Sequence, residues 1–317
     1  MIALGIDLGA TKLSFAIFTE QGNVLFNKTL ALEKREGNEV GDLMREETQK
    51  LIKTHQNIQS IGIAVPGIYR HKTGSVWAPN IRRWEDFPLL QQMQETTNIP
   101  VTIDSDRAAY ILGESWMGNA KGCSNAIYLA VGTGIGAGIL IDGKILRGEH
   151  DIAGAIGWMA LRPPFEEKYI SCGCFEYHAS GEGIANVARE VLSKANGYNG
   201  ILRQKKEKDI TAYDVFAAFE QHDIIAREVF GICIRFWGMA VANLVSLFNP
   251  EKIILGGGVF GPGVSFIPRI VEEATKWAQP ISIKQVNIEA SSLGTNAGLY
   301  GAGWLAWQHV TNKTGSK

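Results

Sequence analysis

A chain of 317 residues has room for one large domain or two of ordinary size. Its hydrophobic fraction of 45% can fill a core, and its net charge of −1 gives no general electrostatic pull toward nucleic acid or an anionic membrane. Four cysteines, Cys123, Cys172, Cys174 and Cys233, are too sparse for a disulfide framework and suit a reduced, cytoplasmic chain.

Ile2 to Ile6 is an apolar run that ends at Asp7. Leu8-Gly9-Ala10-Thr11-Lys12 follows, then a second strand-like run from Leu13 to Phe18, a polar turn from Glu20 to Asn23, and a third run from Val24 to Leu30. The opening MIALGIDLGA has no basic n-region and no cleavage site, so no signal peptide is expected. Between 38 and 55, Val40, Leu43, Met44, Leu51 and Ile52 fall at helical spacing among charges, which predicts an amphipathic surface helix. Ser60 to Val65 reads as a buried strand stopped by Pro66-Gly67, and Asn80 to Trp84 as an irregular loop. Val101 to Ile103 is a short strand that meets Asp104-Ser105-Asp106. A helix from Arg107 to Met117 follows, with Ser105 or Asp106 as its N-cap.

From Tyr128 an apolar run enters Gly132-Thr133-Gly134-Ile135-Gly136, and a second apolar run leaves from Ala137 to Ile141. Two buried strands joined by a glycine turn fit this pattern. Successive exposed N–H groups in such a turn form an anion cradle suited to a nucleotide phosphate, although a plain β-turn would look the same. Asp142-Gly143 turns the chain again into Lys144 to Leu146. The plan strand, glycine turn, strand, turn, strand thus occurs twice, once from Ile2 and once from Tyr128, which points to internal duplication.

Residues 147–181 are rich in loops and contain Pro163-Pro164 and Cys172-Gly173-Cys174. Helices are predicted at 182–195, 211–220 and 224–248, the last ending at Asn249-Pro250. The basic cluster Arg203 to Lys208 contains a glutamate and reads as a solvated face. Lys252 to Leu255 is a strand running into Gly256-Gly257-Gly258, followed by a helix at 264–278, a strand from Ser282 to Ala290 and a last helix from Thr295 to Val310; the tail NKTGSK is expected to fray. No segment is free enough of charges and glycines to predict a membrane span. Alternation of strands and helices in both halves argues for an α/β chain with ligands at the carboxyl ends of strands.

Several of these signatures stand in a familiar order: Asp7 to Lys12, Gly62 to Gly67, Asn80 with Trp84, Asp106 ahead of Gly113-Glu114, Gly132 to Gly136, Gly256 to Gly258, and Leu293 to Ala302. As a set, spread over nearly the whole chain, they resemble the ROK family of bacterial sugar kinases and sugar-responsive repressors. The resemblance implies the duplicated, two-domain actin/hexokinase-like (ribonuclease H-like) fold with an interdomain cleft. It puts an N-terminal domain at 1–118, joined by the returning C-terminal helix at 303–317, and a C-terminal domain at 119–302. It also implies an ATP-dependent sugar kinase, cytoplasmic and homodimeric. The family's repressors carry an N-terminal helix-turn-helix; here a strand begins at Ile2, so no nucleic acid partner and no membrane partner is expected.

By the same resemblance, Asp7, Gly9, Thr11 and Lys12 form a first phosphate loop with Asp7 near Mg²⁺. Thr133 and Gly134 form a second such loop, and Gly256 and Gly257 lie against the nucleoside of ATP. Asp106 matches the catalytic aspartate, Glu176 a glutamate that binds sugar, and Asn80 a loop asparagine near the sugar. The sugar side departs from the family pattern. Ser105 and Ala108 stand where asparagines are usual, and Ala155-Ile156-Gly157-Trp158 replaces Glu-x-Gly-His. Trp158 either stacks on a pyranose or an aglycone, or fills the pocket. The missing histidine and the shortened cysteine loop, with only Cys172 and Cys174, leave no set of ligands for the family's structural zinc.

Overall fold

In a computed structural model that describes residues 1–314, two five-stranded sheets share one strand plan. The first half of the chain supplies β1 (Ile2–Leu8), β2 (Lys12–Thr19), β3 (Val24–Ala31), α1 (Asn38–Thr54), β4 (Ile58–Val65), β5 (Ile68–Arg70), β6 (Ser75–Trp77), α2 (Leu89–Thr96), β7 (Val101–Ser105) and α3 (Asp106–Met117). The second supplies β8 (Ala126–Val131), β9 (Ile135–Ile141), β10 (Lys144–Ile145), α4 (Cys174–Ala179), α5 (Gly181–Lys194), α6 (Ala212–Glu220), α7 (Ile224–Phe248), β11 (Lys252–Gly256), α8 (Ile267–Trp277), β12 (Asn287–Ala290) and α9 (Ala297–Thr314). The sheets run β3-β2-β1-β4-β7 and β10-β9-β8-β11-β12. In each, a three-stranded meander continues into two further strands, so the duplicated meander seen in the sequence extends to a duplicated five-stranded sheet.

Two compact units divide the chain. One comprises residues 1–123, 138–154 and 291 onward, the other residues 124–137 and 155–290. In the first, β1 and β4 are parallel, with Asp7 beside Ala64, and β4 and β7 are parallel, with Ala64 beside Asp104. Their carboxyl ends therefore lie side by side. Leu4, Ile6, Leu13, Phe15, Ile61 and Ile63 are fully buried in the core under α1 and α2. Parallel strands covered on both faces need such continuous apolar runs.

The other face of this sheet is covered by α9, which packs on α3, β4 and β1. Its approach is unusually close. A Cβ added to Gly62 would overlap the carbonyl of Ala302, and one on Gly301 would overlap the carbonyl of Ala109. Only glycine lets the backbones meet at that separation. The start of α9 is fixed by Glu114, fully buried in α3, which accepts from Ser291 Oγ at 2.5 Å and from Leu293 N at 3.3 Å.

In the second unit, α7 is long and apolar enough to cross a membrane by length and composition, but 67% of its apolar window is buried inside the protein. It serves as a core helix against α5 and α8. The expected strand from Ser282 is shorter than read. Ser282–Lys284 is a 3-10 turn because the Gln279 carboxamide oxygen accepts from Ile281 N and Ser282 N, and pairing begins only at Asn287. Helix α2 and the β5–β6 hairpin were not read from the sequence at all. Residues 315–317 of the tail expected to fray lie outside the described residues.

Candidate active site

Within the first unit, the carboxyl ends of β1 and β7 bring together the acidic residues singled out in the sequence. Asp7 ends the apolar part of β1, with its carboxylate against the Cα of Gly298 in α9; a Cβ there would meet Asp7 Oδ2 at 2.8 Å. Burial, the nearby charge of Asp106 and, in opposition, Lys12 leave the Asp7 carboxyl with a pKa raised to about 7. Asp106 is raised to about 6, mainly by burial. The Arg107 guanidinium, the Arg107 N–H and the Tyr110 hydroxyl pull it back. A pair of carboxylates whose ionisation is suppressed by loss of solvent, and for Asp7 also by its neighbour's charge, is expensive to keep, and such groups concentrate at functional sites.

The two N-cap alternatives are resolved by geometry. Ser105 is the cap of α3: its side chain accepts from Ala108 N at 3.3 Å. Asp106 is the first helical residue. Its Oδ1 accepts from Arg107 N at 2.8 Å and its Oδ2 from the Tyr110 hydroxyl at 3.4 Å. The cap is therefore made without Asp106, whose carboxylate is partly exposed and held by the first turn of the helix. The positive end of the helix dipole there favours an anion.

The turn between β1 and β2 is closed by Gly9 N donating to Lys12 O at 2.9 Å, and Thr11 and Lys12 are exposed on it. Asn80 is exposed in the loop beyond β6. Trp84, by contrast, belongs to the core: it is 1% exposed, stacks on Phe87 at 4.1 Å, and donates its indole N–H to Gly37 O at 2.9 Å.

In the second unit, the β8–β9 turn is closed by Gly132 N donating to Gly134 O at 2.9 Å, and it leaves Thr133 exposed. Glu176, in the first turn of α4, lies beneath this turn. Its Oε2 accepts from Ile135 N at 2.6 Å, and burial pushes its carboxyl up while that N–H pulls it down. Cβ atoms added to Gly134 and Gly157 would both crowd this carboxylate, so Glu176 ties the glycine turn to the segment that carries Trp158. Trp158 itself is 57% exposed. Gly256 ends β11 against the Tyr128 ring. Gly257, at φ +88°, is exposed beside the Val131 carbonyl, where a side chain would be strained and crowded.

Cys172 is half-buried and Cys174 is buried; among the described residues no group of three or more His, Cys, Asp or Glu side chains is placed to hold a metal. His178 is 1% exposed, stacks on Phe236 at 4.2 Å and shares a hydrogen bond of 2.8 Å with Cys174 O. Burial holds its pKa below the ordinary value.

Sequence reading missed the charged cluster behind Asp106. Asp104 is buried and accepts from Arg147 Nε at 3.1 Å and Nη2 at 2.5 Å, while His71 pairs with Asp151 at 2.8 Å. One signal was available, an aspartate on the buried face of an apolar strand, since buried carboxylates need partners. Its partners, Arg147 and at 3.9 Å the His71 ring, lie 43 and 33 positions away along the chain, which no local pattern links.

The chain matches the model of the ROK family over residues 3–309. It is 33% identical to a glucokinase of Halalkalibacterium halodurans over 96% of this chain and 94% of that one. It is 31% identical to a xylose repressor of Caldicellulosiruptor bescii, over 94% of this chain and 76% of the repressor. A ROK family glucokinase from Streptomyces griseus in complex with glucose and AMPPNP superposes with a TM-score of 0.78 at 27% identity, covering 97% of this chain and 100% of that one.

Proposed function

The chain belongs to the ROK family, and on that premise we propose that it is an ATP-dependent kinase that phosphorylates a hydroxyl of a hexose or a hexose derivative. The observation that carries the proposal is the pair Asp7 and Asp106 at the carboxyl ends of β1 and β7, on either side of β4, both with raised pKa values and with Asp106 free of the capping role. Similarity to glucokinases, one of them in complex with glucose and AMPPNP, supports it.

In this reading Asp106 accepts the proton of the attacking hydroxyl while that oxygen bonds to the γ-phosphorus of ATP and the bond to the leaving ADP oxygen breaks. Phosphoryl transition states are loose, so holding the acceptor in line matters more than a strong base, and a carboxylate suffices. A group ionising near 6 is still largely deprotonated at neutral pH and can take up a proton. The exposed turns at Gly9, Thr11 and Lys12 and at Thr133 and Gly134 would offer N–H groups and a cation to the phosphates. Gly256 and Gly257 would let the nucleoside approach the backbone. Asn80, Ser105, Trp158 and Glu176 would line the sugar.

Asp7 fits a Mg²⁺ site. It is a hard oxygen donor whose negative charge lies near that of Asp106 and is opposed by Lys12, and Mg²⁺ usually takes few protein ligands. When bound, the ion would neutralise phosphate charge. Lys12 would offer its ammonium to the phosphates directly, and Asp7 would act by holding the ion. The homodimer and the cytoplasmic location expected of the family belong to the same proposal.

Coupled ADP release against a panel of hexoses, N-acetylhexosamines and glycosides tests the reading. Turnover of at least one sugar is expected. The rebuilt Ala155–Trp158 segment and the similarity to a xylose repressor favour one competing reading, a catalytically weak sugar sensor. Saturable sugar binding with no ADP release from any member of the panel would establish that reading instead.

A further inference from the structure

Arg107 follows Asp106 in the first turn of α3, and its two halves act in different directions. Its backbone N–H donates to Asp106 Oδ1. Its guanidinium spans two loops: Nη2 donates to Gly67 O at 3.1 Å, and Nη1 reaches Ala153 O at 3.4 Å and Ile152 O at 3.5 Å. A planar fork of five N–H groups suits such bridging, which a lysine ammonium cannot reproduce. Gly67 follows β4; Ile152 and Ala153 belong to the segment 147–154 that follows β10.

That segment is fastened at other points of the same unit. Arg147 pairs with the buried Asp104 of β7, the strand that leads to Asp106. Asp151 accepts from the backbone N of His71 at 3.1 Å and pairs with its ring. Ala153 N donates to Arg147 O at 3.0 Å and closes the loop. The Lys72–Glu149 pair is exposed on both sides and adds little. Strand β7, the loop after β5 and α3 thus all hold one short segment, and they converge around the residue read above as the base. The segment leads directly into Ala155-Ile156-Gly157-Trp158, where the carboxylate and imidazole expected to hold sugar hydroxyls are absent. With those side chains gone, acceptor placement depends more on where the backbone is fixed.

We propose that Arg107 is a positioning residue for the sugar acceptor: by bridging the Gly67, Ile152 and Ala153 carbonyls it registers the 147–154 segment against Asp106, and so sets sugar affinity and the range of sugars accepted. The kinetic consequence rests on the kinase reading; the fastening of the segment does not.

The test compares Arg107→Ala and Arg107→Lys with the wild type and with Lys72→Ala, which removes only the exposed pair. Hydrogen exchange of the 147–154 amides is measured together with KM for sugar, KM for ATP and kcat. In Arg107→Ala, exchange across 147–154 rises about tenfold or more, with the rest of α3 unchanged. KM for sugar rises about tenfold, with KM for ATP unchanged, and kcat/KM ratios between competing sugars move toward one. Arg107→Lys stays close to Arg107→Ala, and Lys72→Ala stays close to the wild type. Unchanged exchange across 147–154 in Arg107→Ala, or full recovery of KM in Arg107→Lys, overturns the proposal. If the wild type turns over no sugar while Arg107→Ala loosens the segment, the fastening stands and the kinase reading fails.

Discussion

Replacing Asp106 by asparagine separates catalysis from folding more cleanly than any other single change. The amide is isosteric, its Oδ1 can still accept from Arg107 N, and the cap of α3 is supplied by Ser105, so no helix-capping bond is lost. The proposed base is lost, however. General-base catalysis contributes roughly 10²–10⁴-fold, or about 3–5 kcal/mol of barrier. The same substitution should stabilise the protein. A carboxyl raised from 3.8 to about 6 in the folded state binds its proton more tightly when folded. The protein therefore loses stability as pH rises from about 4 to about 6, and stays penalised above that. Displacement of about two pKa units is worth roughly 3 kcal/mol at full effect, and the partial exposure of Asp106 reduces the net gain to about 1 kcal/mol. At 2–4 °C per kcal/mol, the variant should melt roughly 2–4 °C higher than the wild type at pH 8, and no higher at pH 4. Thermal melts at the two pH values and coupled ADP release measure both halves. Wild-type-like turnover would refute Asp106 as base. A lower melting temperature at pH 8 would refute the claim that its charge is costly.

With Asp106 near 6 and Asp7 near 7, kcat/KM should fall about tenfold per pH unit as pH drops between those values and, with both carboxylates needed as anions, up to about a hundredfold per unit below them. The two groups interact, so the profile reports apparent values of the pair; a flat profile from pH 5 to 8 would contradict the assignment. Gly301→Ala places a methyl on the Ala109 carbonyl and forces α9 away from α3. A loss of about 1–3 kcal/mol in urea unfolding is expected, and no loss would mean that the helices are not packed that closely. Glu176→Gln keeps an acceptor for Ile135 N but removes the charge beneath the glycine turn. KM for sugar should rise about tenfold with little change in melting temperature, since a charge-assisted bond becomes a neutral one.

How far the sequence reaches can be judged element by element. The runs Ile2–Ile6 and Tyr128–Leu140, the helix 224–248 and the glycine turns were legible because each is written in contiguous residues: apolar periodicity, a polar stop, a glycine where the backbone must bend. Duplication was legible because the same local pattern recurs. Helix α2 was missed because only Leu89 and Met93 of its face are buried, too few for a period. The strand at Ser282 was overread because a side chain, Gln279, captures the backbone donors that a sheet would have used.

The sequence by itself determined the duplicated α/β plan, the two glycine turns and Asp106 as the acidic residue to examine, since strand, turn and helix signals are short-range. Only the tertiary structure decided that Ser105 rather than Asp106 caps α3, that burial raises both Asp7 and Asp106 and the Asp106 charge raises Asp7 further, and that Arg107 and the Asp104–Arg147 pair fasten the loop beside them. Those are matters of burial and of charges meeting across long stretches of chain, and Coulomb and desolvation energies depend on distance in space, which residue spacing along the chain does not encode.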